Sequence, residues 1–285
     1  MKIAAGVEYC GARFFGWQRQ KSLISVQQHV EEALSVVADH RVRVHCAGRT
    51  DTGVHAVQQV IHFETKAHRE MYSWVFGANA NMCPDVSLVW AKQMDDDFHA
   101  RFSATGRSYR YIILNRPSRP GLGHGLVTWE YRALHEELMS TAAADLIGEH
   151  DFTAFRAQGC RANTPVREIR RLNVYRNSEY VIIEIEANAF LQHMVRNIAG
   201  VLMAIGMGKK GPYWARQVLQ ARDRSLGGVT APAQGLYLAD IEYPDKFIIP
   251  RPDPARWPLF LHDPLNPAAL RTTSSKRMRE EAGSL

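Results

Sequence analysis

Strand, helix, strand, strand, helix, strand is an order that reads twice along this 285-residue chain, and the repetition constrains the fold more than any single motif does. In the first third, KIAAGVEY, RVRVHCA, VQQVIHF and VSLVWAKQM carry strand patterns, with one helix over SVQQHVEEALSVVA and a weaker one near residues 72–80. Ser25 followed by Gln28 has the spacing of a capping box, and Val26, Val30, Ala33 and Val37 recur at helical intervals, so one face is apolar. Val42, Val44 and Cys46 alternate instead, the period-two signature of a half-buried strand. After a link around residues 99–106 the order returns: strands YRYIILN, RRLNVYR, YVIIEIEA and LYLADIEY, with helices over residues 134–147 and 190–205 and an added one near 213–221.

The expected fold is therefore α+β, made of two ferredoxin-like β-α-β-β-α-β halves with mixed or antiparallel sheets, helices on the outer faces and a pseudo-twofold between them. Residues 1–104 form the first half and residues 105–249 the second, with a central cleft between. From Pro250 the composition changes to a proline-rich run and then a polar end, so 250–285 is expected to be a partly disordered tail, with residues 257–261 docking on the body.

Composition bounds the function. Lys and Arg outnumber Asp and Glu by 35 to 29, a net charge of +6 that favours a polyanionic partner without requiring one. The four cysteines, Cys10, Cys46, Cys83 and Cys160, include no C-x-x-C pair, which points away from a disulfide framework or cysteine zinc site and towards a reducing cytoplasm. The N-terminal apolar run is too short for a signal peptide, and the glycine-interrupted run 198–207 is half the ~20 residues of a membrane span, so no membrane association is expected.

The most informative segment is CAGRTDTGVHAVQQVIHF, which puts Arg49, Thr50, Asp51, Thr52 and Gly53 in the connection between two strands. Taken alone, Asp-Thr-Gly reads as a turn, because these residues bond nearby backbone groups or accept unusual backbone angles. An aspartic protease uses the same triplet, but needs two carboxylates sharing a proton; this chain has no second triplet, and Arg neighbours lower a carboxylate pKa.

Four motifs in fixed order, GVEYCGARFFGWQRQ, AGRTDTGVHA, DDFHARFSATGRSYRYIILN and ANAFLQHMVRNIAG, resemble the tRNA pseudouridine synthase A family over nearly the whole of residues 1–250. Thr52 stands where the family commonly has Ala. The resemblance implies uridine isomerisation in the anticodon stem-loop, at positions 38 to 40 of the tRNA, with Asp51 as the catalytic carboxylate, no cofactor, and a homodimer. It also implies that Arg196 lies near Asp51, that Tyr109 stacks on the target uracil and that Leu236 walls the pocket; Arg49, two residues before Asp51, can occupy the stack or hold phosphates when the target nucleotide is extruded. From periodicity alone Arg196 is an exposed helix residue beside the apolar face set by Leu191, Met194, Val195, Ile198 and Leu202, while Tyr109 and Tyr111 share one strand face and Leu236 is strand core. The chemistry leaves Asp51 three roles: nucleophile, stabiliser of positive charge at C1′, or acceptor of a sugar proton.

Arg101, Arg107 and Arg110, with Arg116, Arg119 and the aromatic Phe102, suggest an RNA-binding track; Arg161, Arg167, Arg170 and Arg171 form a second basic group. His45, His55 and His62 lack ligand spacing, so no metal is expected. Two other classes compete: a noncatalytic RNA-binding or chaperone protein, which leaves the Asp51 loop without purpose, and an N-glycosidic hydrolase, which would release free uracil.

Overall fold

The computed structural model describes residues 1–252, so the expectations for the tail beyond them, including the docking of residues 257–261, lie outside the described residues. The first half runs β1 (Lys2–Tyr9), α1 (Val26–Ala38), β2 (His45–Cys46), β3 (His55–Glu64), α2 (Met71–Ala80) and β4 (Val86–Met94). The second runs β5 (Gly106–Asn115), β6 (Thr128–Glu130), α3 (Glu136–Ala144), β7 (Gly148–Asp151), β8 (Val166–Asn177), β9 (Tyr180–Ala187), α4 (Met194–Gly206), α5 (Trp214–Ala221) and β10 (Leu236–Glu242).

Local chemistry sets α1. Ser25 is extended and its Oγ accepts from Gln28 N at 3.4 Å, while Val26, Val30, Ala33, Leu34 and Ala38 are buried. The capping box is only half formed, because the Gln28 side chain turns away to donate to Glu32 Oε1 at 3.0 Å. The strand expected over RVRVHCA shortens to His45–Cys46, although Val42 and Val44 are buried and Arg41 and Arg43 exposed as the alternation requires. Glu31, buried on α1, replaces the missing ladder there: its carboxylate accepts from Val44 N at 3.2 Å and from Arg43.

The fold is α+β, with one mixed, mostly antiparallel sheet of ten strands where separate sheets were expected. Its order is β4-β1-β3-β10-β5-β9-β8-β7. Within the first half, β4, β1, β3 and β2 pair antiparallel in that order, and in the second β10, β5, β9 and β8 do the same, each half running fourth, first, third, second strand of its repeat. The halves join through a short parallel pairing of β3 with β10, at Tyr237↔His55 and Leu238↔Ala56. Because that pairing is parallel, the two halves follow each other along the sheet with the same strand order and the same strand sense. Edge sharing explains the union: β2 covers β3 only at Ile61 and His62, leaving the start of β3 open for β10.

Helices α1 and α2 pack on each other and on β4, α3 on β8, and α4 on β5. Trp74 of α2 meets Phe63 of β3 edge-on at 5.2 Å, and both are fully buried. A second tie between the halves is Arg107, whose Nη2 donates to the carbonyls of Ala47 (3.2 Å) and Arg101 (3.0 Å) while Nη1 donates to that of Asn188 (3.0 Å). The connection carrying Asp51 leads directly into the residues of β3 that pair with β10, so this carboxylate sits where the halves meet.

Candidate active site

Residues 47–54 join β2 to β3, and buried groups on both sides fix their path. Gln59, fully buried on β3, accepts from Gly48 N at 3.2 Å through Oε1 and donates through Nε2 to the Gly48 carbonyl. Thr50 Oγ1 meets the Tyr9 hydroxyl at 2.8 Å, and burial pushes the Tyr9 phenol well above its usual range, so this partner stays neutral. Trp17 N donates to the Thr50 carbonyl at 3.0 Å and Val54 N to that of Asp51 at 3.1 Å. Gly53 turns the chain at φ 78°, where a side chain would be strained. Backbone groups of Gly48, Thr50, Asp51, Gly53 and Val54 are thus bonded within the protein, and the Asp51 side chain is 29% exposed.

Two basic side chains from the second half converge on it. Arg196 Nη1 lies 3.6 Å and His193 Nε2 3.4 Å from Asp51 Oδ2. Arg196 is on the first turn of α4, with Nε bonded to the Ala231 carbonyl at 2.8 Å. His193 precedes that helix in the left-handed region at φ 63°, uncommon for a residue with a side chain and frequent at functional sites. His193 was not among the residues singled out from the sequence; the signal available was its place three residues before Arg196 in QHMVRN, where one turn of helix can bring both to the same group.

Tyr109 of β5 is buried, with its ring edge-on to Phe190 at 5.0 Å. Its hydroxyl makes no hydrogen bond to any described residue and faces Gly48, where an added Cβ would lie 4.0 Å from it. Burial raises the phenol's pKa, Arg107 opposes the rise and the Asp51 charge adds to it, so Tyr109 stays protonated at neutral pH. Tyr111, two residues on, has its hydroxyl committed: it donates to the Pro232 carbonyl at 2.9 Å and meets Thr128 Oγ1 at 2.6 Å. This difference separates two tyrosines that alternation alone leaves equivalent. Leu236 is buried and pairs with Tyr111 across β10 and β5.

Arg49 and Arg101 are exposed. The Cys46 thiol, pushed up to about 12 by burial, feels the opposing charges of Arg49, Arg101 and Arg107, which gather on this side of the loop. Arg101 also stands 5.6 Å from the ring of Phe102, which is 76% exposed. Arg107 is the carbonyl-bonded tie described above, and Arg110 is ion-paired to the buried Glu184. In the second basic group, Arg170 pairs with Glu242 at 2.7 Å and Arg171 with Glu186 at 3.3 Å, so neither presents an unopposed charge. Thr52 is exposed on the loop. His45, His62 and His99 touch through their rings, yet among the described residues no group of three His, Cys, Asp or Glu side chains is arranged to hold a metal ion. No helix among the described residues is long and apolar enough to cross a membrane.

A carboxylate between an arginine and a histidine, beside a protonated tyrosine whose hydroxyl bonds no described residue, can stabilise positive charge on a bound group or attack it, and can position an aromatic ring against Tyr109. A family model described as tRNA pseudouridine synthase matches residues 5–103 and 142–244. Relatives named tRNA pseudouridine synthase A include that of Coxiella burnetii (strain Dugway 5J108-111), 54% identical over 250 residues, covering 88% of this chain and 96% of the relative. That of Vibrio campbellii is 52% identical over 266 residues, covering 93% and 100%. That of Nitrosococcus oceani is 55% identical over 251 residues, covering 88% and 97%.

Proposed function

Since the chain belongs to the tRNA pseudouridine synthase family, as an enzyme that isomerises uridine in tRNA, we propose that its targets are uridines of the anticodon stem-loop, at positions 38 to 40, and that Asp51 is the catalytic carboxylate. The single observation that carries the second point is the Asp51 carboxylate held at the junction of the two halves, in contact with Arg196 and His193.

The reaction breaks the bond from C1′ to N1, turns the uracil within the pocket, and joins C1′ to C5. It consumes neither electrons nor external energy, and the proposal calls for no cofactor. A carboxylate beside C1′ serves it as nucleophile, as stabiliser of developing positive charge, or as acceptor of a sugar proton. In all three the carboxylate must be ionised. Tyr109 stacks on the uracil, with Phe190 behind it, and its unused hydroxyl is available to help remove the C5 proton. Leu236 walls the pocket. The target must leave its stack, at a cost of about a few kcal/mol, and Arg49 occupies the stack or holds phosphates as it does so. Arg101, Arg107 and Arg110 line the track for the tRNA backbone, with Arg101 the most accessible of them. The ferredoxin-like halves are residues 1–104 and 105–249, the enzyme acts in the cytoplasm, and a homodimer lets one subunit's cleft and its partner's surface hold the same tRNA; gel filtration showing only monomer at working concentration would contradict the last point.

The test is tritium release from unmodified tRNA labelled at uridine C5, with mapping of pseudouridine in the product, for the intact protein and for Asp51→Ala. Release by the intact protein alone, mapped to the anticodon stem-loop, is the expected result. Equal release by both proteins removes Asp51 from the mechanism, and product elsewhere in the tRNA removes the positional assignment.

A further inference from the structure

The contact between Asp51 and Arg196 depends on a carbonyl that belongs to neither residue's element. Arg196 Nε donates to the Ala231 carbonyl at 2.8 Å, and Ala231 N donates back to the Arg196 carbonyl at 3.0 Å. Residues 227–231 have no helix or strand to hold them. Arg224 supplies the hold: Nη1 donates to the carbonyls of Gly227 (3.2 Å) and Gly228 (3.0 Å), and Nη2 to Asn197 Oδ1 (3.0 Å) and Thr230 Oγ1 (2.9 Å). The Thr230 hydroxyl donates to the same Asn197 oxygen at 2.6 Å, and Asn197 Nδ2 is anchored on the Phe155 carbonyl at 2.6 Å. Asn197 is buried and directly follows Arg196. Gly200, one turn on from Arg196 along the same face of α4, lets the Val229 carbonyl lie so close that a Cβ would stand 1.9 Å from it.

We propose that Arg224, acting through Asn197 and Thr230, is a positioning residue for the isomerisation: it fixes the Ala231 carbonyl, which holds Arg196 Nε and thereby aims Nη1 at Asp51. The inference rests on the reading of Asp51 as the catalytic carboxylate. Its physical basis is that a guanidinium is planar, so anchoring Nε fixes the direction of the other two nitrogens, whereas an unanchored arginine samples many rotamers. The same five-donor fork lets Arg224 reach two backbone carbonyls and two side chains at once, which a lysine or glutamine does not reproduce.

A loop staple with no part in the reaction would have the same bonds, so the experiment must separate the two. Steady-state kinetics on tRNA and thermal unfolding of the full chain are measured for Arg224→Gln, Thr230→Val and Thr230→Ser, and for Arg224→Gln combined with Arg196→Lys. Arg224→Gln and Thr230→Val are expected to lower kcat by about 10- to 100-fold, the order that a displacement near 1 Å costs. KM should stay within about twofold, because the interaction serves the reacting state more than binding. Thr230→Ser, which keeps the hydroxyl, should restore kcat. In the Arg196→Lys background, which has no nitrogen at the Nε position, Arg224→Gln should cost nothing further. Full kcat in folded Arg224→Gln, or the same proportional loss in both backgrounds, overturns the proposal. Should Arg224→Gln fail to fold, the Thr230 pair decides: equal kcat in Thr230→Val and Thr230→Ser overturns it. An active Asp51→Ala would instead defeat the catalytic assignment beneath it, whereas an inactive Asp51→Ala beside unimpaired Arg224 and Thr230 variants defeats the positioning role alone.

Discussion

Arg196 Nη1 lies 3.6 Å from Asp51 Oδ2, while its Nε is spent on the Ala231 carbonyl at 2.8 Å. The pair is therefore not a two-pronged fork, and the carboxylate keeps acceptor capacity for substrate. Arg196→Lys keeps the charge and loses the anchored geometry, so kcat should fall by about 10- to 100-fold with little change in melting temperature. Tritium release and a thermal melt check both; unchanged kcat would mean that charge alone suffices.

The two tyrosines of β5 should separate cleanly. Tyr109→Phe removes a hydroxyl that bonds no described residue and should leave the melting temperature unaltered while slowing C5 tritium release. Tyr111→Phe deletes the bonds to Pro232 and Thr128 and should cost about 1–3 kcal/mol of stability in a urea titration. Tritium release by Tyr109→Phe at the normal rate would remove its hydroxyl from the chemistry.

His55 ties the Asp51 loop to β10 as a neutral ring. It is buried, its Nδ1 accepts from Gly11 N at 3.0 Å, and its Nε2 meets the Gln234 carbonyl at 3.2 Å. Burial pulls its pKa down to about 4, with the Gln234 and Gly125 carbonyls pulling the other way. The unfolded chain therefore takes up a proton below about 6.5 that the native state refuses until about 4, so the stability held above 6.5 is lost as pH falls through that window. Urea unfolding should weaken by up to about 1.4 kcal/mol per pH unit from this residue between those limits. His55→Gln, which cannot charge, should flatten that part of the profile; an unaltered slope would assign it to other groups.

Exposed and bonded arginines should respond differently to removal. Arg49→Ala and Arg101→Ala should weaken tRNA binding and each reduce the slope of log K against log salt by about 0.7–1. Arg107→Ala breaks the bonds to Ala47, Arg101 and Asn188 and should lower the melting temperature as well. Salt-series filter binding and thermal melts distinguish them, and a wild-type salt slope in Arg101→Ala would take it off the RNA path.

Local patterns were legible where the deciding interactions are local. The apolar period and Ser25 cap mark α1, because a residue's own neighbours settle which face it shows, and the strands expected over KIAAGVEY, VQQVIHF and YVIIEIEA form as β1, β3 and β9. The same reasoning overextended β2, where the ladder is replaced by bonds to Glu31 from another element, and missed the short β6 and β7, whose pairing depends on strands already in place. It also left Tyr109 and Tyr111 indistinguishable, since only the positions of Thr128 and Pro232 show which hydroxyl is committed.

By itself, the sequence determined the α+β class, the two successive strand-helix repeats and, through ordered motifs, the family and the loop that carries Asp51. Tertiary structure alone decided that the repeats share one sheet, that His193 joins Arg196 at the carboxylate, and that Arg224 bonds the segment whose Ala231 carbonyl accepts from Arg196. The reason is distance along the chain: Asp51 and Arg196 are far apart in sequence, and Arg196 on an isolated helix has no cause to face anything but water. It meets Asp51 only in the folded chain, where β10 pairs beside β3 on the edge left open and residues 228–231 lie against the helix.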